Sequence, residues 1–268
     1  GAPPPPPARA PRAGASPPPG AAAGAGAPGG RAPGGDRVSL RLSETDEAMI
    51  AAVAEVSENV VVAVQCGSAV MLPWADSVAA VLVSWYAGVE GGNALADVIV
   101  GAAEPGGRLP FAVPARADDL VPFDKDATAV VYDLLHGQWR LDADGNAPQF
   151  PFGAGGGFTT FDVGEVTLLD GGAGATVDVV NTGDRAGSTV LFAFAGLPNS
   201  KLQRPLRRLI GFARVALGAG SATTVGIDLD WSQLDVRRDG TWWTEPGEYV
   251  VTVGQHAADL KRSVTVER

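Results

Sequence analysis

The feature that most constrains this chain is a change of hydrophobic period partway along it. Val60-Val61-Val62-Ala63-Val64 is a continuous β-branched run closed by Gly67, the pattern of a strand buried on both faces of a parallel sheet. Val78-Ala79-Ala80-Val81-Leu82-Val83 repeats it, placing the two strongest strands at 60–64 and 79–83. Ahead of them, Ser43-Glu44-Thr45-Asp46-Glu47 is a capping signal. Met49, Ile50, Val53 and Val56 then recur at helical spacing, which predicts a helix of roughly three turns. Gly91-Gly92 opens a second helical stretch over 93–100, stopped by Gly101. Strands alternating with helices predict a partial α/β unit over 36–117, a mainly parallel sheet with helices. Past Phe161 the texture becomes short alternating strands, clearest at 177–181 and 249–253, separated by turn groups such as Asp170-Gly171-Gly172, Thr182-Gly183-Asp184, Gly218-Ala219-Gly220, Asp239-Gly240 and Pro246-Gly247. That pattern predicts an all-β sandwich over 161–268, burying Phe192, Phe194, Phe212 and Tyr249. The stretch 118–160, rich in Asp, Pro and Gly, reads as a connecting loop region.

Residues 1–35 are almost wholly Gly, Ala, Pro, Arg and Ser, with nothing larger than alanine or proline to bury, and are expected to be disordered. The globular pattern starts abruptly at Asp36 with Val38, Leu40 and Leu42. At 268 residues the chain can hold two small cores. A formal charge of −10 repels phosphate backbones, and the short basic cluster of Lys201, Arg204, Arg207 and Arg208 does not reverse that, so nucleic acid is not an expected partner. No apolar run reaches the length of a membrane-spanning helix, and no charged segment followed by an apolar one marks a signal peptide. A lone cysteine, Cys66, excludes an internal disulfide and a cysteine zinc cluster, and leaves the compartment open.

Generic catalytic motifs are weak. Asp142-Ala143-Asp144-Gly145-Asn146 begins like a calcium loop, but the sixth position is Ala147 and the twelfth Gly153, so it reads as a surface turn. Gly153 to Gly157 is glycine-rich without opening a helix after a parallel strand, and reads as a tight crossing rather than a phosphate cradle. His136 and His256 are the two imidazoles, and no Gly-x-Ser-x-Gly elbow accompanies them. Asp118/Asp119 and Asp124/Asp126 are carboxylate pairs of the kind that flank a glycosidic bond, but adjacent loop acids read as solvated surface charges. Trp139, Trp231, Trp242 and Trp243 are candidate sugar-stacking aromatics, with sandwich packing the competing reading for at least one. No catalytic, cofactor or metal residue is assigned on these grounds, and no cofactor is expected.

The ordered run of motifs is more specific. Gln65-Cys66-Gly67-Ser68-Ala69-Val70-Met71-Leu72-Pro73-Trp74, Ser84-Trp85-Tyr86-Ala87-Gly88-Val89-Glu90-Gly91-Gly92-Asn93-Ala94-Leu95-Ala96-Asp97, Pro105-Gly106-Gly107-Arg108-Leu109-Pro110-Phe111, Val131-Tyr132-Asp133-Leu134-Leu135-His136-Gly137 and Phe150-Pro151-Phe152-Gly153 resemble, in order, the second domain of family 3 glycoside hydrolases. Asn181-Thr182-Gly183-Asp184-Arg185-Ala186-Gly187, Leu209-Ile210-Gly211-Phe212 and Pro246-Gly247-Glu248-Tyr249 resemble that family's C-terminal fibronectin type III-like, immunoglobulin-type sandwich. The resemblance spans about 36–268.

It implies a β-glucosidase-like parent that cleaves terminal sugars from a β-glucoside or oligosaccharide. Such retaining enzymes use two carboxylates about 5 Å apart. The resemblance places the nucleophilic Asp in an N-terminal barrel absent from this chain. In many members the acid/base Glu lies in a Gly-Glu-Gly-x-Asp-Arg segment, where this chain reads Ala32-Pro33-Gly34-Gly35-Asp36-Arg37, with Pro33 at the Glu position. A second departure is Gly153-Ala154-Gly155-Gly156-Gly157-Phe158-Thr159, where the family favours Gly-Tyr-Gly-Leu-Ser-Tyr-Thr. The expectation is therefore a scaffold and active-site rim, inactive in isolation. The rival expectation is a non-catalytic carbohydrate-binding or interaction module using Trp139, Trp242 and Trp243.

Overall fold

The computed structural model describes residues 39–122, 124 and 126–268, together with the backbone of Ala23–Gly24. The expected disorder over 1–35 otherwise lies outside the described residues, as does Pro33.

In the first module, β1 (Ala23–Gly24), β2 (Val61–Gln65) and β3 (Ala80–Val83) form a three-stranded sheet in that order. Both pairings are parallel. Helix α1 (Glu44–Val56) starts where the capping signal places it: Ser43 Oγ accepts from Asp46 N, and acidic residues fill the first turn. Its Ile50 packs into a core of Leu42, Val62, Val64, Leu72 and Trp74. Helix α2 (Gly91–Ile99) follows β3, and Gly101 at φ 74° ends the turn after it.

The strands are not covered on both faces as expected. Val62 and Val64 are buried but Val61 is 50% exposed, β3 has no fully buried residue, and α2 buries none of its side chains. A continuous apolar run signals two covering layers. Among the described residues only one layer, supplied through α1 and the loop carrying Val70 and Leu72, is in place.

The stretch expected to be a connecting loop contains structure. β4 (Val113–Pro114) pairs antiparallel with β5 (Pro148–Phe150), and between them lies helix α3 (Gln138–Asp144), capped by Gly145 in the left-handed region. Asp142 is thus not in a surface turn. It sits in α3, mostly buried, accepting from Arg207 Nη2 at 2.8 Å and Gln138 Nε2 at 2.9 Å.

The second module is a sandwich. One sheet runs β6 (Phe161–Leu168), β7 (Gly174–Asn181) and β10 (Ala222–Asp228) in the order 10-7-6. The other, in the order 14-13-8-9, holds β8 (Gly187–Gly196), β9 (Arg208–Leu217), β13 (Glu248–Gly254) and β14 (Arg262–Glu267). All their pairings are antiparallel. Val177, Val179, Leu191, Ala193, Ile227, Val251 and Val253 interdigitate between the sheets. Tyr249 is fully buried there, edge-on to Trp231, and its hydroxyl donates to Glu245 O at 2.7 Å, the tyrosine-corner arrangement of such sandwiches. Between the two sheets' strands, β11 (Val236–Arg238) and β12 (Thr241–Trp243) make a short hairpin turned by Asp239 and Gly240, both at positive φ.

Phe212 corrects the expected core. Strand β9 carries a bulge opposite Ala193/Phe194, so Ile210 points into the sandwich while Phe212, paired with Phe192, points out and is 67% exposed. Phe192 and Phe194 are buried, but on that same outer face. They pack with Ala257 against Phe152, just past β5 in the connecting stretch, the Phe152–Phe192 centroids lying 5.5 Å apart.

Candidate functional site

In an open α/β sheet, ligands meet the loops beyond the carboxyl ends of the strands. Here those loops are Cys66-Gly67-Ser68 after β2 and Ser84-Trp85-Tyr86 through Glu90 after β3. Ser84 N donates to Val64 O at 2.9 Å, carrying the parallel ladder one residue further. Trp85 then adopts φ 49°, a conformation a bulky residue occupies only when its surroundings hold it there. Its ring is fixed edge-on to Phe111 at 5.6 Å. The strained turn throws Tyr86 over Gly67, whose hypothetical Cβ would stand 2.5 Å from the Tyr86 ring, so a side chain at 67 would displace the tyrosine. Tyr86 and Val89 remain 79% and 100% exposed, and Glu90 accepts from Asn93 Nδ2 at 2.6 Å. The result is an aromatic and apolar rim facing outward from the strand ends. The strain at Trp85 was not anticipated from sequence; a Trp-Tyr pair directly after an apolar run and before Gly88 was the available signal.

The sequence-derived acids are not gathered at this rim. Asp119 is buried rather than solvated: it accepts from Arg116 N, from the Arg116 guanidinium at 3.2 Å and from Asn146 Nδ2 at 3.1 Å. Those bonds make it a clamp between two loops. Asp118 is exposed, and Asp124 Oδ1 accepts from Asp126 N within its own turn. Among the described residues no group of three or more His, Cys, Asp or Glu side chains is placed to hold a metal ion.

His136 is exposed, edge-on to Trp139 at 5.3 Å, while His256 Nδ1 accepts from Ala258 N. Burial holds the His256 imidazole below its usual range; Asp259 opposes this and Arg108 reinforces it. Trp231 is a core residue whose indole donates to Gly172 O at 2.5 Å. Trp139 lies under the Arg208 guanidinium at 5.2 Å, against the sandwich. Trp242 is 68% exposed and Trp243 half-buried, each with an arginine over its ring.

The glycine-rich stretch is the crossing that joins the modules. Gly153 N donates to Leu109 O and Leu109 N to Ala154 O, both at 2.8 Å, while Gly153 at φ 84° leaves no room for a Cβ beside Phe192. The same seam is tied by Ser188 N to Glu104 Oε2 (2.8 Å), Arg108 Nη2 to Thr189 Oγ1 (2.9 Å), and Ala257 N to Phe152 O (2.8 Å).

A parallel sheet with an aromatic rim, fastened along a glycine seam to a seven-stranded antiparallel sandwich, defines a two-module protein of the α/β-plus-sandwich class. The comparisons agree with that class: residues 20–158 match the glycosyl hydrolase family 3 C-terminal domain, and residues 189–257 the fibronectin type III-like domain. The chain belongs to glycosyl hydrolase family 3. A β-glucosidase of Rhizobium radiobacter is 37% identical over 86% of this chain and 30% of its own length. The β-glucosidase BoGH3A of Bacteroides ovatus is 31% identical over 87% of this chain and 34% of its own. A solved β-glucosidase from Bifidobacterium adolescentis superposes with a TM-score of 0.80 at 30% identity, covering 88% of this chain and 37% of that one. The chain thus spans about a third of the length of the relatives it matches.

Proposed function

We propose that this chain is the C-terminal part of a β-glucosidase-like exo-glycosidase that hydrolyses O-glycosyl bonds, contributing scaffold and active-site rim without a complete catalytic pair. The boundaries proposed are 36–117 for the partial α/β module, 118–160 for the connection and 161–268 for the sandwich. The observation that carries the reading is the division of labour at the strand ends. Aromatic and apolar side chains are presented outward there, while Asp119 accepts from Arg116 and Asn146, and Asp124 from Asp126 N. Retention requires a nucleophile and a proton donor across one anomeric carbon, and a rim of Trp85, Tyr86 and Glu90 offers no such pair. The uncovered face of β2 and β3 supports a covering layer supplied by further protein. The sugar is proposed as a terminal β-glucosyl unit, because the relatives are β-glucosidases.

The test is aryl β-glucoside hydrolysis by the purified chain, alone and mixed with a separately expressed family 3 barrel. No turnover above background is expected from the chain alone, and Pro33→Glu alone does not restore it, because an unpositioned carboxylate lacks partner and pocket. Saturable glucose release by the chain without a barrel overturns the proposal.

A further inference from the structure

The hairpin of β11 and β12 borders an open groove of about 750 Å³ on the sandwich, lined by none of the rim residues described above. Its register puts Arg237 opposite Trp242 on one face and Val236 opposite Trp243 on the other, with Arg238 following Val236 on the groove side. The Arg238 guanidinium stands 5.0 Å from the centre of the Trp243 ring. Lys201, exposed, lines the same groove.

The charge balance is one-sided. Glu245, the buried acid of the groove, is already satisfied: Ser200 Oγ donates to it at 2.6 Å, Lys201 N at 2.9 Å, and Arg204 lies 3.7 Å away. Those donors, led by Ser200, hold its carboxyl below the usual range. Asp239 reaches Arg238 only at 3.8 Å with both side chains largely in solvent. Lys201 and Arg238 thus place cationic groups beside the Trp243 indole, opposed only weakly by Asp239 and by the already satisfied Glu245. The chain's net charge of −10 does not cancel this patch, because exposed charges beyond roughly 8 Å are screened at physiological salt.

We propose that this groove binds an anionic saccharide, a chain of uronate-bearing pyranose units, with a sugar face on Trp243 and carboxylates on Arg238 and Lys201. An indole beside guanidinium groups matches a ring that is apolar on its C–H face and charged at its edge. The groove is open rather than enclosed and offers no deep pocket of the kind that anchors a peptide side chain. This site is separate from the hydrolytic reading, and either can fail without the other.

The experiment is titration calorimetry of the full chain with hexagalacturonate, with neutral cellohexaose and hexaglutamate as comparison ligands. Hexagalacturonate is expected to bind, at least about tenfold more tightly than either of the others, and to weaken as salt is raised. Lys201→Ala with Arg238→Ala, both exposed positions, should weaken it about tenfold or more. Trp242→Ala, on the opposite face of the hairpin, should leave it unchanged. Circular dichroism confirms that each variant is folded. No hexagalacturonate binding, equal binding of cellohexaose or hexaglutamate, or indifference to the double substitution overturns the proposal.

Discussion

Phe192 and Phe212 are paired across β8 and β9 on the same outer face of the sandwich, yet only Phe192 is roofed, by Phe152 of the connecting stretch. Truncating each to alanine separates burial from strand propensity. Phe192 is 7% exposed, so of the roughly 200 Å² an aromatic side chain offers, about 185 Å² is hidden; at about 25 cal/mol per Å² this is about 4.6 kcal/mol. Discounting for a compact unfolded chain brings it to about 3–4 kcal/mol, within the usual range for an aromatic core truncation. Phe212 is 67% exposed, so about 65 Å² is hidden, worth about 1 kcal/mol after the same discount. Urea denaturation followed by circular dichroism reads the contrast. With a slope near 2 kcal/mol per M, Phe192→Ala lowers the midpoint of the sandwich transition by roughly 2 M and Phe212→Ala by about 0.5 M. Because Phe192 also meets Phe152, its loss should expose 150–157 to limited proteolysis, whereas Phe212→Ala should not. Equal midpoint shifts would refute the assignment of the bulge and of the roofed face together.

Tyr249→Phe removes the hydroxyl that donates to Glu245 O and leaves a buried carbonyl unpaired, so it should destabilise the sandwich by about 1–3 kcal/mol, measured as a urea midpoint shift. His256 gives a pH dependence of definite sign. Its folded pKa lies below the unfolded value near 6.5, so the unfolded chain binds the extra proton first; stability is complete above 6.5 and falls as pH drops through 6.5 towards the folded pKa. Urea midpoints between pH 7.5 and 5.5 should therefore decline in the wild type and be flatter in His256→Gln, and an unchanged slope would refute the burial argument.

What was legible in the sequence was type of element rather than depth of burial. Ser43 with its acidic first turn fixed the start of α1, the β-branched runs fell on β2 and β3, and the turn groups separated the sandwich strands. The errors arose where a second layer or a register shift decides. Continuity in 60–64 was read as two-sided burial, but it records what a strand can tolerate and not what is placed over it. Simple alternation puts Ile210 and Phe212 on one face. The bulge opposite Ala193/Phe194 separates them, and Gly211, where a Cβ would collide with Asp228 O, is the one signal of it in the sequence. Helix α3 was missed because seven residues carry little periodicity; Asp142 is held there by Arg207, sixty-five positions away in the chain.

The site followed the same division. Carboxylate spacing along a chain says which acids are near one another, whereas their chemistry is set by the donors that surround them. Asp118 and Asp119 are neighbours in sequence with opposite surroundings: one is exposed, the other buried and bonded to Arg116 and Asn146. An acid that already accepts three hydrogen bonds is committed to its loop, because using it as a base would require those donors to be left unpaired in a buried place. The rim at Trp85 and Tyr86 has the reverse character. Trp85 is held in a sparsely occupied conformation with its ring against Phe111 and the core, and the Tyr86 side chain that follows it is left open to solvent over Gly67. Strain held beneath an open aromatic surface is a reason to place ligand contact at the ends of β2 and β3 that does not depend on any acid in this chain.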